Sequence, residues 1–194
     1  MSRAILLSIR PEWVAKILNG EKTIEIRKTC PAIFKHLKSY EGAKLDVFMY
    51  VTQGDDILVP TYCGYQLCKN SFYEPLNGKV VAKFTLRKIK RVSIWDKKLE
   101  TETLKPACLD FLEFDKYTKG QVGYAWHIED LVIFDRPKEL SEFKGACPIE
   151  KGGCRLCKYG GIGLSSMPLC RKPQLTKAPQ SWCYIEGEEK ICLK

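Results

Sequence analysis

Lys22, Thr23, Glu25 and Arg27 fall within one short stretch, "NGEKTIEIRK", residues 19–28. An ammonium, a hydroxyl, a carboxylate and a guanidinium at this spacing form a set suited to a polar ligand. Successive side chains of an extended strand point to opposite faces, so Thr23, Glu25 and Arg27 share one face and Ile24 and Ile26 the other. A guanidinium beside a carboxylate keeps it ionised, because a nearby opposite charge lowers an acid's pKa by roughly 1 to 3 units. Glu25 can then accept a hydrogen bond from an exocyclic amino group of cytosine or adenine, while Arg27 binds phosphate or a base carbonyl. Lys22 can bind phosphate or, when desolvated, serve as a base. If the chain is an enzyme, Lys22 and Glu25 are its candidate catalytic residues. The plain alternative is a solvent-facing Glu-Arg pair of little energetic consequence.

A second feature is charge. The chain has 32 Lys+Arg against 23 Asp+Glu, a net +9, which favours polyanionic partners. Between residues 83 and 98 stand Lys83, Arg87, Lys88, Lys90, Arg91, Lys97 and Lys98, with Asp96 the one acid among them. Each phosphate such a run neutralises adds a salt-sensitive increment to affinity. Trp95 lies inside it, and Tyr50, Trp126 and His127 sit on expected strands, so a stacking platform for an unpaired base is one reading. A solvated charged face with core aromatics is the other. His36 and His127 are the two histidines, and neither has a partner at triad spacing. GxGxxG, Walker and GxSxG patterns are absent, which argues against nucleotide-dependent dehydrogenase, P-loop and serine-hydrolase chemistry.

Cysteine usage marks the C-terminal part. Of ten cysteines, Cys147, Cys154, Cys157, Cys170, Cys183 and Cys192 crowd its last 48 residues. Cys147, Cys154, Cys157 and Cys170 are separated by six, two and twelve residues, and a Cys-x-x-Cys turn directs two sulfurs at one ion while flanking loops return two more. A structural Zn2+ is therefore expected there, in a segment with too few large apolar residues to order itself. Cys183 and Cys192 are alternative ligands, and a redox dithiol, a disulfide or free thiols are the competing readings.

These groups need elements to hold them. "AILLSI" reads as a first strand and "PEWVAKIL" as a short amphipathic helix, started by Pro11 and stopped by Asn19-Gly20. "KTIEIRK" alternates as a strand, "KLDVFMYV" reads as a buried one, and residues 53–78 read as a long loop or insertion ending at Asn77-Gly78. A bent strand follows from Lys79. Then come a helical turn packing Leu109 and Leu112, a strand over "GYAWHIEDLVIFD", and a proline-started helix over "RPKELSEF". "SWCYIE" is expected to dock back as an edge strand. The pattern predicts an α+β, mainly β protein: a small barrel-like sheet with peripheral helices over 1–143 and a zinc-stapled, Cys-rich appendage over 144–194 packed on it. No stretch has the length of a membrane span or the form of a targeting segment, so a cytoplasmic protein without membrane partners is expected.

"ILLSIRPEWVAKILNGEKTIEIRK", followed by "VFMYVT", "GKVVAKFTL" and "GYAWHIEDLVIFDRPKELSEF", resembles the ASCH domain of the PUA-like superfamily over about residues 4 to 143. The resemblance implies a PUA-like β-barrel with a cleft for RNA or a modified or unpaired nucleotide, DNA being the other candidate nucleic acid. In that cleft Lys22, Thr23, Glu25, Arg27 and Tyr50 are the expected contacts, with Lys83, Arg87, Lys88, Lys90 and Arg91 guiding the backbone. Some ASCH proteins are enzymes, among them an amidohydrolase on acetylated cytidine and a ribonuclease. The amidohydrolase pattern has a Thr three residues after its Lys. Here that position is Glu25, a departure that counts against that particular hydrolysis. A protein-interaction adaptor with a vestigial pocket is the remaining alternative.

Overall fold

The computed structural model describes residues 3–34, 44–146 and 174–187. The four expected zinc ligands, Cys147, Cys154, Cys157 and Cys170, lie outside the described residues, as do His36 and Cys192.

Strand β1 (Arg3–Ile9) is buried on both faces because it is central: it pairs parallel with β3 (Leu45–Val51) and antiparallel with β10 (Trp182–Glu186). Helix α1 (Pro11–Leu18) follows it. Pro11 begins the first turn, where the missing N–H has no helical partner to lose, and Gly20 at φ 78° ends the run. Val14, Ile17 and Leu18 bury one face of the helix. Strand β2 (Ile24–Arg27) then leaves for a second sheet.

With β6 (Lys79–Leu86), β7 (Ile89–Val92), β8 (Gly123–His127) and β9 (Glu129–Glu139), the main sheet has the order β10-β1-β3-β6-β9 and the second the order β2-β8-β7. Two continuous stretches step between them. Strand β6 gives way to β7 at Arg87-Lys88, and β8 gives way to β9 at Ile128. His127 N–H donates to Lys88 C=O at 3.0 Å, fastening these corners together. Ile5, Leu7, Val47, Met49, Phe84 and Trp126 belong to the largest core cluster, while Ile24, Ile26, Val92, Leu104, Phe114 and Ala125 form a second. Phe48 and Tyr50, on the opposite face of β3 from Met49, join Leu6, Phe143 and Ile185 in a third.

The protein is thus mainly β with few helices. Its strands pair as two sheets and a hairpin, and hydrogen bonding does not close them into one barrel among the described residues. Four local expectations are corrected. Residues 53–78 contain a hairpin, β4 (Ile57–Thr61) and β5 (Gly64–Cys68), docked on α1 by Asn19: its Nδ2 donates to Tyr65 C=O and its Oδ1 accepts from Tyr65 N–H, both at 2.9 Å. The expected strand over 123–135 is two strands, because the chain changes sheets. Helix α2 (Phe111–Thr118) buries Phe114 and Thr118, leaving Leu112 exposed. "RPKE" continues β9 to Glu139 instead of starting a helix; β9 is an edge strand, where Pro137 removes no ladder donor the sheet requires.

The described part of the C-terminal region is the edge strand expected, but it is a full member of the main sheet, with five register pairs to β1. No helix among the described residues is long and apolar enough to cross a membrane.

Candidate functional site

Lys22, Glu25 and Arg27 are only 3%, 6% and 8% exposed, so the strand face expected to meet either water or a pocket lies inside the protein. The two isoleucines of β2 face the second core cluster. On the other face Glu25 stands opposite Trp126 of β8, itself fully buried. Burial of both faces of β2 concentrates charge where water cannot screen it.

The three side chains are linked. Glu25 Oε2 lies 3.3 Å from Lys22 Nζ and Glu25 Oε1 lies 3.0 Å from Arg27 Nη2. Lys22 Nζ also donates to Ala107 C=O at 2.6 Å, a carbonyl presented by a turn in which Cys108 takes φ 53°, an uncommon value for a residue other than glycine. Arg27 Nη2 donates to Ser8 C=O at 2.8 Å. Burial pushes the Lys22 ammonium below its ordinary pKa, with Glu25 opposing the shift. Trp13 lies 5.0 Å from Lys22 Nζ, ring centroid to cation. Burial likewise raises the Tyr117 phenol.

The C-terminal strand borders the same cluster. Ser8, whose carbonyl holds Arg27, donates from its N–H to Ser181 C=O at 2.9 Å and from its hydroxyl to Pro179 C=O at 2.7 Å. Trp182 packs edge-on against Trp126 at 5.8 Å, and its indole N–H donates to Thr29 Oγ1 at 3.0 Å, joining the edge of the main sheet to the end of β2. Ser8, Ala107, Tyr117 and Trp182 are site residues that the sequence did not single out. They come from four separate parts of the chain, and only the aromatic character of "SWCY" gave any hint of one of them.

Two buried donors of this face have no hydrogen-bond partner among the described residues: Arg27 Nε and Trp126 Nε1. Buried polar groups are paired in the great majority of cases, so each such atom calls for a physical reason. A concavity of about 750 Å³, lined by residues including Leu99, Leu104, Asp110 and Phe111, lies elsewhere; Lys22, Glu25 and Arg27 do not line it.

Other expected site residues are dispersed. Thr23 is exposed, in contrast with buried Glu25 and Arg27, and its backbone joins Pro106 and Ile128. Tyr50 is buried in the third core cluster, on the other face of the main sheet, with its phenol raised first by burial and then by Glu139. It is a packing residue there and does not join Lys22.

The basic run acquires acidic partners that sequence proximity did not reveal. Arg87 is held by Glu129 at 2.8 Å and Asp130 at 2.7 Å; Lys90 and Lys98 share Glu102 at 2.9 and 3.1 Å; Lys83 lies 4.0 Å from Asp46. Lys88, Arg91 and Lys97 are exposed and form no ion pair among the described residues. Trp95 is exposed beside them, whereas Trp126 is core and His127 is half-buried, its pKa lowered by burial and by Lys88. Among the described residues no group of three or more His, Cys, Asp and Glu is placed to hold a metal ion.

The chain matches no protein-family model, and no curated protein matches it. Solved structures do. The fold is similar to that of ASCH from Zymomonas mobilis. That match has 19% identity and a TM-score of 0.47, covering 71% of this chain and 73% of the other. A structure of a serine-to-alanine mutant of that protein matches with the same identity and TM-score. The N-terminal domain of Staphylothermus marinus McrB matches at 12% identity and a TM-score of 0.36, covering 72% of this chain and 77% of the other. At these identities the likeness concerns fold alone.

Proposed function

We propose that the chain binds RNA, or a modified or unpaired nucleotide, at the seam where β2, the end of β1 and the C-terminal strand meet around Lys22, Glu25 and Arg27. The observation that carries the reading is the buried triad itself. Replacing a buried ion pair by apolar side chains is often neutral or stabilising, so three buried charged groups, with two donors beside them that have no partner among the described residues, are a poor way to gain stability. Buried titratable groups with a specific charge partner, such as Lys22 beside Glu25, concentrate at functional sites. The resemblance of the sequence to ASCH domains, with their PUA-like barrel, supports the same reading. Lys88, Arg91, Lys97 and Trp95 form the outer electrostatic footprint in this proposal.

A second reading has its own support. Desolvation lowers the Lys22 pKa, and a lysine so shifted can act as a base or nucleophile, with Glu25 placing it. The chain would then be a hydrolase acting on a modified nucleoside or on RNA.

Short fluorescent RNA and DNA oligomers, titrated against the protein and followed by anisotropy, test the first reading; incubation of the same RNAs and of modified nucleosides, followed by chromatography, tests the second. Binding weakened about tenfold or more in a folded Lys22→Ala variant supports the site. Turnover lost in that variant selects the enzyme. Unaltered binding and no turnover would leave the triad structural. For the C-terminal part we further propose a structural zinc on Cys147, Cys154, Cys157 and Cys170, and for the chain as a whole a cytoplasmic location.

A further inference from the structure

Two cationic side chains, Lys22 and Arg27, share the single carboxylate of Glu25 inside the protein. Each Glu25 oxygen already faces one of those cations, at 3.3 and 3.0 Å. The carboxylate is therefore employed in holding the cations, and the expectation that it reads an exocyclic amino group gains no support from the geometry. The unpaired capacity of this face is of the opposite kind. Arg27 Nε and Trp126 Nε1 are donors, both belong to side chains more than nine-tenths buried, and both lie on the face that carries Glu25. The Ser8 and Ala107 carbonyls are engaged with the two cations. An uncharged amino edge would add further donors to a face that already has too many. A group made of acceptors and carrying negative charge matches both the donors and the excess positive charge.

We infer that the cluster receives an acceptor-rich anionic group, a phosphate, on Arg27 Nε and Trp126 Nε1, with Glu25 positioning the cations and not reading a base. This inference rests on the nucleotide-binding reading for its assignment of the phosphate to a nucleotide. A guanidinium whose Nη2 is fixed by Ser8 and Glu25 presents its Nε–H in one orientation, as a single directed donor to an acceptor oxygen. Burial lowers the pKa of Lys22, and a bound anion would favour its protonated form.

The test is calorimetry at constant ionic strength with four sets of probes: inorganic phosphate, the common nucleosides, their 5′-monophosphates, and dinucleotides that carry only an internal phosphodiester. At least one monophosphate is expected to bind about tenfold or more tightly than its nucleoside, with inorganic phosphate competing for the same site. Dinucleotide binding as tight as that of the monophosphate identifies a backbone phosphate as the source, and weaker binding identifies a terminal one. Nucleosides that bind as well as their monophosphates, with inorganic phosphate silent, overturn the anion inference while the nucleotide reading stands. Inorganic phosphate that binds while nucleosides add nothing upholds the anion site and overturns the nucleotide reading. If no probe binds, both fall.

Variants locate the anion. Arg27→Lys keeps the charge and loses Nε, and should weaken phosphate binding about tenfold. Trp126→Phe keeps an aromatic ring and removes the N–H, and should weaken phosphate binding about threefold. Circular dichroism checks that each is folded. Phosphate binding unaltered in both folded variants places the anion elsewhere and refutes the inference.

Discussion

Glu25→Gln is the most informative single change, since it removes one charge and few atoms. In the parent, Glu25 lies 3.3 Å from Lys22 and 3.0 Å from Arg27, and all three are buried. Breaking a buried pair by neutralising one partner costs about 3 to 5 kcal/mol, because the partner is left uncompensated. Here two cations are left, but Lys22 can relieve part of the cost by releasing its proton, so about 3 to 4 kcal/mol is expected at pH 7. For a chain of this size that is roughly a 6 to 16 °C fall in midpoint, at about 2 to 4 °C per kcal/mol. Urea unfolding of parent and variant at pH 7 and pH 9.5 measures it. The gap should narrow at pH 9.5, where the variant's Lys22 is neutral at little cost. A difference under about 1 kcal/mol that is the same at both pH values would refute the buried, coupled arrangement.

Lys22→Met isolates the lysine. Its folded-state pKa lies below the unfolded value, so the unfolded state binds more protons between the two and parent stability should gain with pH across that window, up to about pH 10.5. The Met variant should lack this gain, and the difference between their urea midpoints against pH shows it; parallel curves would mean that Lys22 is not desolvated. In the outer footprint, a triple change of Lys88, Arg91 and Lys97 to Ala should reduce the slope of log affinity for single-stranded RNA against log salt by about 2, at about 0.7 per phosphate contact. An unchanged slope would remove these residues from the interface. Protein without an affinity tag should carry about one zinc per chain by metal analysis, falling below about half in Cys154→Ser; little zinc in the parent would exclude the structural site.

The first third of the chain was legible because its signals are local. Pro11 and Asn19-Gly20 bracket α1, and the alternation around Ile24 and Ile26 marks β2. The same alternation could not say that the polar face of β2 is buried too, since what covers it comes from Ser8, Ala107, Tyr117 and Trp182, far apart in sequence. The basic run misled for the same reason: Asp46, Glu102, Glu129 and Asp130 reach it only through strand pairing and the turn before α2. Pro60, Gly64 and two cysteines obscured the β4-β5 hairpin, whose order depends on Asn19 of the preceding helix. Gly64, at φ +126°, sits where a Cβ would come within 2.6 Å of Asn19 Oδ1, a constraint that only the docked helix reveals.

The central claim is that the buried triad is a nucleotide site, and side-chain NMR tests it most directly. In protein labelled with a heavy nitrogen isotope, the Nε–H of Arg27 and the indole N–H of Trp126 give their own signals, assignable with Arg27→Lys and Trp126→Phe. Titration with a short single-stranded RNA or a nucleoside 5′-monophosphate should move both signals, as each donor acquires an acceptor. Binding that shifts signals around Lys88, Arg91 and Lys97 while those of Arg27 and Trp126 stay in place would contradict the account.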